Sequence, residues 1–277
     1  MRYRTTAHGV LAVLAALLVG AAAPASSQEP ERTPEEWLRR CRDWDTDDDR
    51  VRHCEVRDVN LPPVSGRLNV DGRLNGGIAV RAWDRNQVLV RAKIQTWAET
   101  AAEARRLASA IRIRTDGGRI AAEETASGRR SGWSVSYDVY VPRRSDLDLR
   151  THNGGIFVDG VHGRIDVDAL NGGVSIRNAQ GELRGGTTNG GVTLWLDGDR
   201  WVGEGVDLET TNGGITVVMP ERYNARLETG TVNGGLNVDF PITVQGRVGR
   251  RLSTTLGAGG QLIRVRTTNG GVTLRRR

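Results

Sequence analysis

The sequence predicts an all-β fold: a β-solenoid, or β-helix-like repeat, with coils of ~18–20 residues and one short helix covering an edge or end. Three observations predict it. The first is repetition. Asn-Gly-Gly followed by an apolar residue occurs seven times, from Asn75, Asn153, Asn171, Asn189, Asn212, Asn233 and Asn269. The last six are spaced by 18, 18, 23, 21 and 36 residues, and 36 is two periods of 18. A fixed internal period marks repeat architectures.

The second observation is alternation. Three residues after each Asn stand Ile78, Ile156, Val174, Val192, Ile215, Leu236 and Val272. Five residues after it stand Val80, Val158, Ile176, Leu194, Val217, Val238 and Leu274. Mostly small or polar residues lie between. A period of two is that of a half-buried strand. Six residues before each of the last six Asn stand Leu147, Ile165, Leu183, Val206, Leu227 and Ile263, each followed by a charged residue. A strand therefore precedes the turn as well. The Asn75 copy lacks this preceding pattern and is expected in a different setting.

The third observation is the turn itself. Asn tolerates left-handed backbone and Gly accepts positive φ. Type I′ hairpins of an antiparallel meander use such pairs, and so could the corners of a solenoid. The solenoid is favoured, because it alone explains why the same residue recurs at every corner. Amides ~4.8 Å apart on neighbouring strands form a ladder, each bond contributing ~1 kcal/mol net. The predicted ladder is Asn153, Asn171, Asn189, Asn212, Asn233 and Asn269.

In chain order, four regions are expected. Residues 1–25 read as a secretory signal: Arg2 and Arg4, an apolar run from Val10 to Ala23, then an A-x-A site with cleavage after Ala25. That run is too short to span a bilayer. Residues 26–55 are polar, with a short helix expected over Trp37–Trp44. Cys41 and Cys54 are the two cysteines, and in an exported chain such a pair reads as a disulfide. Within that loop, Asp43 to Asp49 imitates the start of a calcium-binding EF-hand loop. Asp48 then stands where Gly is needed, so a solvated acidic loop is the plainer reading.

Residues 56–146 read as strands with one helix over about 98–110. The strands are Val64–Val70, Ile78–Trp83, Val88–Ile94, Ile111–Thr115, Arg119–Glu124 and an alternating run from Trp133 to Val141. Ala104, Leu107, Ala108 and Ile111 make the helix's narrow apolar stripe, suited to cover an open sheet edge. Residues 147–277 hold the regular coils. An insertion near Trp195–Gly205 brings Trp195, Arg200 and Trp201 close in sequence, a candidate ligand patch whose plainer reading is a loop anchored by a Trp. Gly257–Gly260 reads as a degenerate turn in the missing repeat.

The signal, the recurring T-x-N-G-G-[VI]-x-[VIL] pattern and the closing stretch from Gly257 to Leu274 resemble the bacterial "putative adhesin" family of β-strand-repeat proteins. The resemblance covers residues 56–277. It implies a β-solenoid or β-roll, an envelope or secreted location, and no established biochemical activity. It brings no catalytic residues to carry over.

Charge and chemistry narrow the function. Formal net charge is +6, and removing residues 1–25 lowers it to +4. Arg dominates and Lys is nearly absent, yet no basic run interleaved with aromatics occurs, so nucleic acid is not the expected partner. No integral membrane protein is expected. Beyond the signal the histidines are His53, His152 and His162. No nucleophile elbow, zinc-protease motif or phosphate loop occurs, and no catalytic residue, metal or cofactor is expected. Asp148, Asp166 and Asp207 share one column, as a β-helical lyase or hydrolase would need, but Arg and Glu occupy the same column elsewhere.

The expected function is therefore a non-catalytic, exported binding or scaffold protein, periplasmic or at the cell surface, with an envelope glycan or protein as partner. The alternatives are a carbohydrate-active enzyme on the same scaffold and an envelope-stress or signalling accessory.

Overall fold

In the computed structural model, the described residues are 33–43, 49–123, 128–241 and 249–277. The expected signal sequence and cleavage site at Ala25, and most of the acidic Asp43–Asp49 stretch, lie outside them.

The first element among the described residues is helix α1 (Pro34–Asp43). It starts one turn before the sequence suggested. Thr33 and Glu36 form a reciprocal cap, with Glu36 N donating to Thr33 Oγ1 at 3.1 Å and Thr33 N to Glu36 Oε2 at 3.3 Å, and Pro34 pre-sets the first helical φ. Four strands follow: β1 (Val51–Leu61), β2 (Arg67–Asp71), β3 (Ile78–Trp83) and β4 (Val88–Ala98). Helix α2 (Ala101–Ala110) begins later than expected, because Ala98 still belongs to β4 and the Thr100 side chain caps the helix by accepting from Glu103 N. Then come β5 (Ile113–Arg114), β6 (Arg119–Ala122) and β7 (Gly132–Pro142).

From here each coil gives one strand to each of two sheets. The pairs are β8 (Asp146–Asn153) with β9 (Ile156–Asp159), β10 (His162–Asn171) with β11 (Val174–Arg177), and β12 (Gln180–Asn189) with β13 (Val192–Trp195). Next are β14 (Gly205–Asn212) with β15 (Ile215–Met219), and β16 (Ala225–Asn233) with β17 (Leu236–Val238). The chain ends with β18 (Arg251–Leu256), β19 (Leu262–Asn269) and β20 (Val272–Arg276).

Two ten-stranded sheets result among the described residues. Sheet A runs β1-β4-β7-β3-β9-β11-β13-β15-β20-β17, and sheet B runs β18-β16-β19-β14-β12-β10-β8-β2-β6-β5. Successive coils pair in parallel and in register, with Asn171 opposite both Asn153 and Asn189. This is the solenoid arrangement, and it excludes the antiparallel meander for the regular coils. The core lies between the sheets. Leu147, Ile165, Leu183, Leu208 and Val265 of sheet B face Ile156, Val174, Ile176, Leu194 and Val272 of sheet A, all buried.

Two placements differ from sequence expectation. The Asn75 copy is stacked with the others: β3 pairs with β9 and β2 with β8, both in parallel. The stacking order also departs from chain order. The coil bearing Asn269 sits between those bearing Asn212 and Asn233. β18 pairs antiparallel with β16 at the sheet edge. Gly257–Gly260 therefore links β18 to β19 and is not a degenerate Asn-Gly-Gly corner. Ala258 N donates there to Asn224 Oδ1.

Helix α2 lies against β1, β4 and β7 at the β1/β5 end of the two sheets. Ala104, Leu107 and Ala108 are its buried side. Arg57 from β1 donates to the last carbonyls, Ala108 O at 2.8 Å and Ile111 O at 2.7 Å.

Candidate functional site

The corners form a continuous amide ladder. Asn153 Nδ2 donates to Asn75 Oδ1 at 3.0 Å, and Asn171 to Asn153, Asn189 to Asn171, Asn212 to Asn189, Asn269 to Asn212 and Asn233 to Asn269 at 2.8 Å each. Every bond points the same way along the stack. Beneath the ladder runs a second one. Thr187, Thr210, Thr267 and Thr231, each two residues before an Asn, donate Oγ1–H to Gly172, Gly190, Gly213 and Gly270 carbonyls at 2.7–2.8 Å. Thr151 does the same to Gly76 O at 2.5 Å.

The glycines serve a different purpose from the one the motif suggested. Among the described residues the positive-φ non-glycines are Arg73 and Asn178, so no ladder Asn is left-handed. A Cβ on Gly154, Gly172, Gly190 or Gly213 would lie 1.9–2.4 Å from the carbonyl oxygen of the neighbouring coil's glycine. Close stacking, not left-handed backbone, requires glycine there.

Cys41 and Cys54 form a disulfide joining α1 to β1. The three-residue patch proposed from the insertion is not assembled. Trp201 is buried in the core, 3 % exposed, with its indole N–H donating to Gly181 O at 2.8 Å. Arg200 is exposed and pairs with Asp199 at 2.9 Å, which raises the guanidinium pKa and lowers that of the carboxyl. Trp195 lies elsewhere, on the outer face of sheet A. An aromatic as large as Trp201 anchors the loop because burying it outweighs exposing it.

The two outer faces differ in kind. On sheet B, charges of opposite sign neutralise one another both across rungs and along single strands. Arg67 pairs with Asp166 at 2.6 Å, Arg164 and Arg184 both pair with Glu182 at 2.5 Å, and Arg150 pairs with Asp148 at 3.0 Å. Arg264 spans Glu228 at 2.9 Å and Asp207 at 3.3 Å. The hydrogen bond from Arg164 holds the Glu182 carboxyl below its ordinary pKa. Asp148, Asp166 and Asp207 are thus each met by an arginine on a flat face. A shallow groove beside β18 is lined by Glu209, Glu228, Arg251 and Arg266, again of mixed sign.

Sheet A has ion pairs of its own, such as Arg91 with Asp58 at 2.8 Å, and also carries arginines over aromatic rings. Its outer row reads Tyr140, Arg81, Asp159, Arg177, Trp195, Val218 and Arg275 from β7 to β20. The Arg177 guanidinium lies 4.3 Å from the Trp195 ring centroid, and Arg81 and Arg177 lie 5.1 and 5.6 Å from that of Phe157. Arg85 lies 5.0 Å from Trp83, whose ring meets Tyr140. Such cation–π contacts draw the guanidinium groups over the rings and restrict their positions. The sequence hid this row, because its members are 18 or more residues apart and only the rung register brings them together.

Beside this row, α1 roofs a cleft of about 340 Å³ over sheet A. Trp37 and Arg40 line it from above, and Gln95, Ser136, Phe157 and Ser175 from below. Lys93 and Asp138, also at its floor, form an ion pair at 3.2 Å and are 5 % and 3 % exposed. Among the described residues no cluster of His, Cys, Asp and Glu has metal-binding geometry, and no helix is long and apolar enough to cross a membrane.

No curated protein matches the chain. Among solved structures it is similar to a "putative cell adhesion protein" from Clostridium sporogenes, at 12% identity and TM-score 0.43, over 82% of this chain and 100% of that one. It is similar to a "putative adhesin" from Bacteroides fragilis at 11% identity and TM-score 0.30, over 81% and 97% of the two chains. A "putative lipid binding protein" from Parabacteroides distasonis is similar at 9% identity and TM-score 0.30, over 81% and 96%. The Toastrack DUF4097 family matches residues 52–275, about four fifths of the chain, and the protein belongs to that family.

Proposed function

We propose that this protein is a non-catalytic, exported β-solenoid, cleaved after Ala25, that binds an anionic glycan of the bacterial envelope. The observation that carries the reading is the sheet A row of Arg81, Arg177 and Trp195 beside Phe157. Guanidinium planes match carboxylate geometry, while aromatic faces accept the apolar faces of sugar rings. Rungs repeat every ~4.8 Å, so a linear polymer meets the same chemistry more than once. The sheet B carboxylates stand on a flat face against arginines, which favours binding over the hydrolase or lyase alternative.

Retention of residues 26–277 on immobilised polygalacturonate, with dextran as the neutral control, tests this. Salt-sensitive retention on the acidic polymer is expected, reduced at least tenfold in Arg81→Ala/Arg177→Ala. New reducing or unsaturated ends would sink the non-catalytic reading. Equal retention on both polymers would sink the anionic one.

A further inference from the structure

The cleft beneath α1 has a composition found nowhere else on the molecule. Lys93 is the only lysine in the sequence, against 38 arginines. Its side chain points to the outer face of sheet A, where α1 covers it, and its Nζ lies 3.2 Å from Asp138 Oδ1. Every other basic position of the chain takes Arg, whose planar fork is larger than an ammonium. The cleft floor is therefore the one place where a compact cation stands in this chain. An ion pair this deep is weak evidence for stability, because apolar residues of similar volume serve a fold as well or better. Its place at the floor of a cleft agrees with a binding role.

Three further observations agree. Ser175 Oγ is buried at the cleft, on a side chain 4 % exposed, and has no hydrogen-bond partner. Gly77, Gly155 and Gly173 line the floor without side chains, which leaves a trough of backbone. Phe157 lines the cleft and also lies under Arg81 and Arg177, so the cleft opens onto the arginine–aromatic row. About 340 Å³ falls in the ~300–1,000 Å³ range of small-ligand pockets.

We propose that this cleft is a binding subsite for one terminal sugar unit of an acidic glycan. The Trp37 and Phe157 side chains supply apolar surface for the ring. Gln95, Ser136, Ser175 and the Lys93–Asp138 pair hydrogen-bond its hydroxyls, and Arg40 stands near its carboxylate. The disulfide Cys41–Cys54 holds the roof in place. The inference rests on the glycan-binding reading and adds to it an end-on site distinct from the surface row.

The single lysine supplies the test. Labelling residues 26–277 with 13C-lysine gives one ε-methylene signal, that of Lys93. Titration with digalacturonate is expected to shift this signal saturably. Trp37→Ala, on a peripheral helix, is expected to raise the Kd at least tenfold, while retention on polygalacturonate falls less than in Arg81→Ala/Arg177→Ala. Gln95→Ala is the second variant and is expected to weaken the shift in the same direction. If the signal stays still while the polymer is retained, the subsite is overturned and the surface reading stands. If the signal moves but neither variant weakens it, the sugar lies elsewhere and the subsite again falls. If neither disaccharide nor polymer binds, the glycan reading itself fails and takes the subsite with it.

Discussion

Asn269 donates its side-chain N–H to Asn212 Oδ1 at 2.8 Å, although 57 residues separate them in the chain. The coil that ends the sequence is therefore an interior rung. β19 lies between β14 and β16, and β20 between β15 and β17.

Truncation after residue 261 removes that interior rung rather than an end. Ile263, Val265, Val272 and Leu274 are each at most 1 % exposed. Burial of such side chains is worth ~1.5–3 kcal/mol each, together about the full stability of a typical domain, ~5–15 kcal/mol. Residues 1–261 are expected to lose amide-exchange protection in β16 to β18 while β8 to β11 keep theirs. Uniform protection would contradict the interior placement.

The amide ladder makes position predict cost. Asn171→Ala removes two bonds, one given to Asn153 and one received from Asn189. Asn233→Ala, at the end of the ladder, removes the bond given to Asn269. At ~1 kcal/mol net per bond, urea denaturation should find Asn171→Ala about twice as costly.

Glycines of one motif separate by the space above them. A Cβ on Gly172 would lie 2.1 Å from Gly154 O, which is backbone and cannot swing away. A Cβ on Gly235 meets nothing within 4 Å. Gly172→Ala is expected to cost about 2–3 kcal/mol through overpacking. Gly235→Ala should leave the melting temperature within a degree or two, since surface changes are usually worth within ±0.5 kcal/mol.

Inside the stack the threonine ladder has one gap. The Asn75 coil, at the end of the ladder, carries Arg73 two residues before its Asn. Of the six other coils, five carry Thr there and the Asn171 coil carries Ala169, buried at the same register opposite Thr151 and Thr187. Thr at this position would reach Gly154 O, as Thr187 reaches Gly172 O. Ala169→Thr is expected to stabilise by about 0.5–1 kcal/mol, read as a raised urea midpoint. A lowered midpoint would mean that the site cannot admit the side chain.

Acid should weaken the sheet B face through Glu182. Its folded pKa lies below the ordinary value of 4.5 because of the Arg164 hydrogen bond. The unfolded chain therefore takes up the proton first as pH falls. The contribution is present above about pH 4.5 and is lost as pH drops through the lower folded pKa. For a surface pair its size is ~0–1 kcal/mol. Stability of the wild type minus that of Glu182→Gln should shrink between pH 5 and pH 2.5, and a flat difference would refute the pairing.

Much of the fold is legible because a solenoid writes its contacts locally. Leu147, Ile165 and Leu183 are buried in register at the spacing the sequence shows. The candidate site was far less legible. Trp195, Arg200 and Trp201 are close in sequence, yet Trp201 turns into the core and Arg200 pairs with Asp199. Arg81, Phe157 and Trp195 lie far apart in sequence, yet stand within four consecutive strands of one face, β3, β9, β11 and β13. Lys93 and Asp138 look like ordinary outward strand residues until α1 is laid over them.

The sequence by itself determined the repeat, the inward and outward columns and the side-chain amides at each corner. Each depends on a period of two within a strand and of 18 between coils, and a period can be read without coordinates. Only the tertiary structure decided the order in which the coils stack, the inclusion of Asn75 in the ladder, and the cover that buries Lys93 with Asp138. Identical corners fit against one another equally well, so the pattern alone gives no preference for a neighbour. Those choices fall to the non-repeating segments, the β18 return and the α1 roof, whose packing has no period.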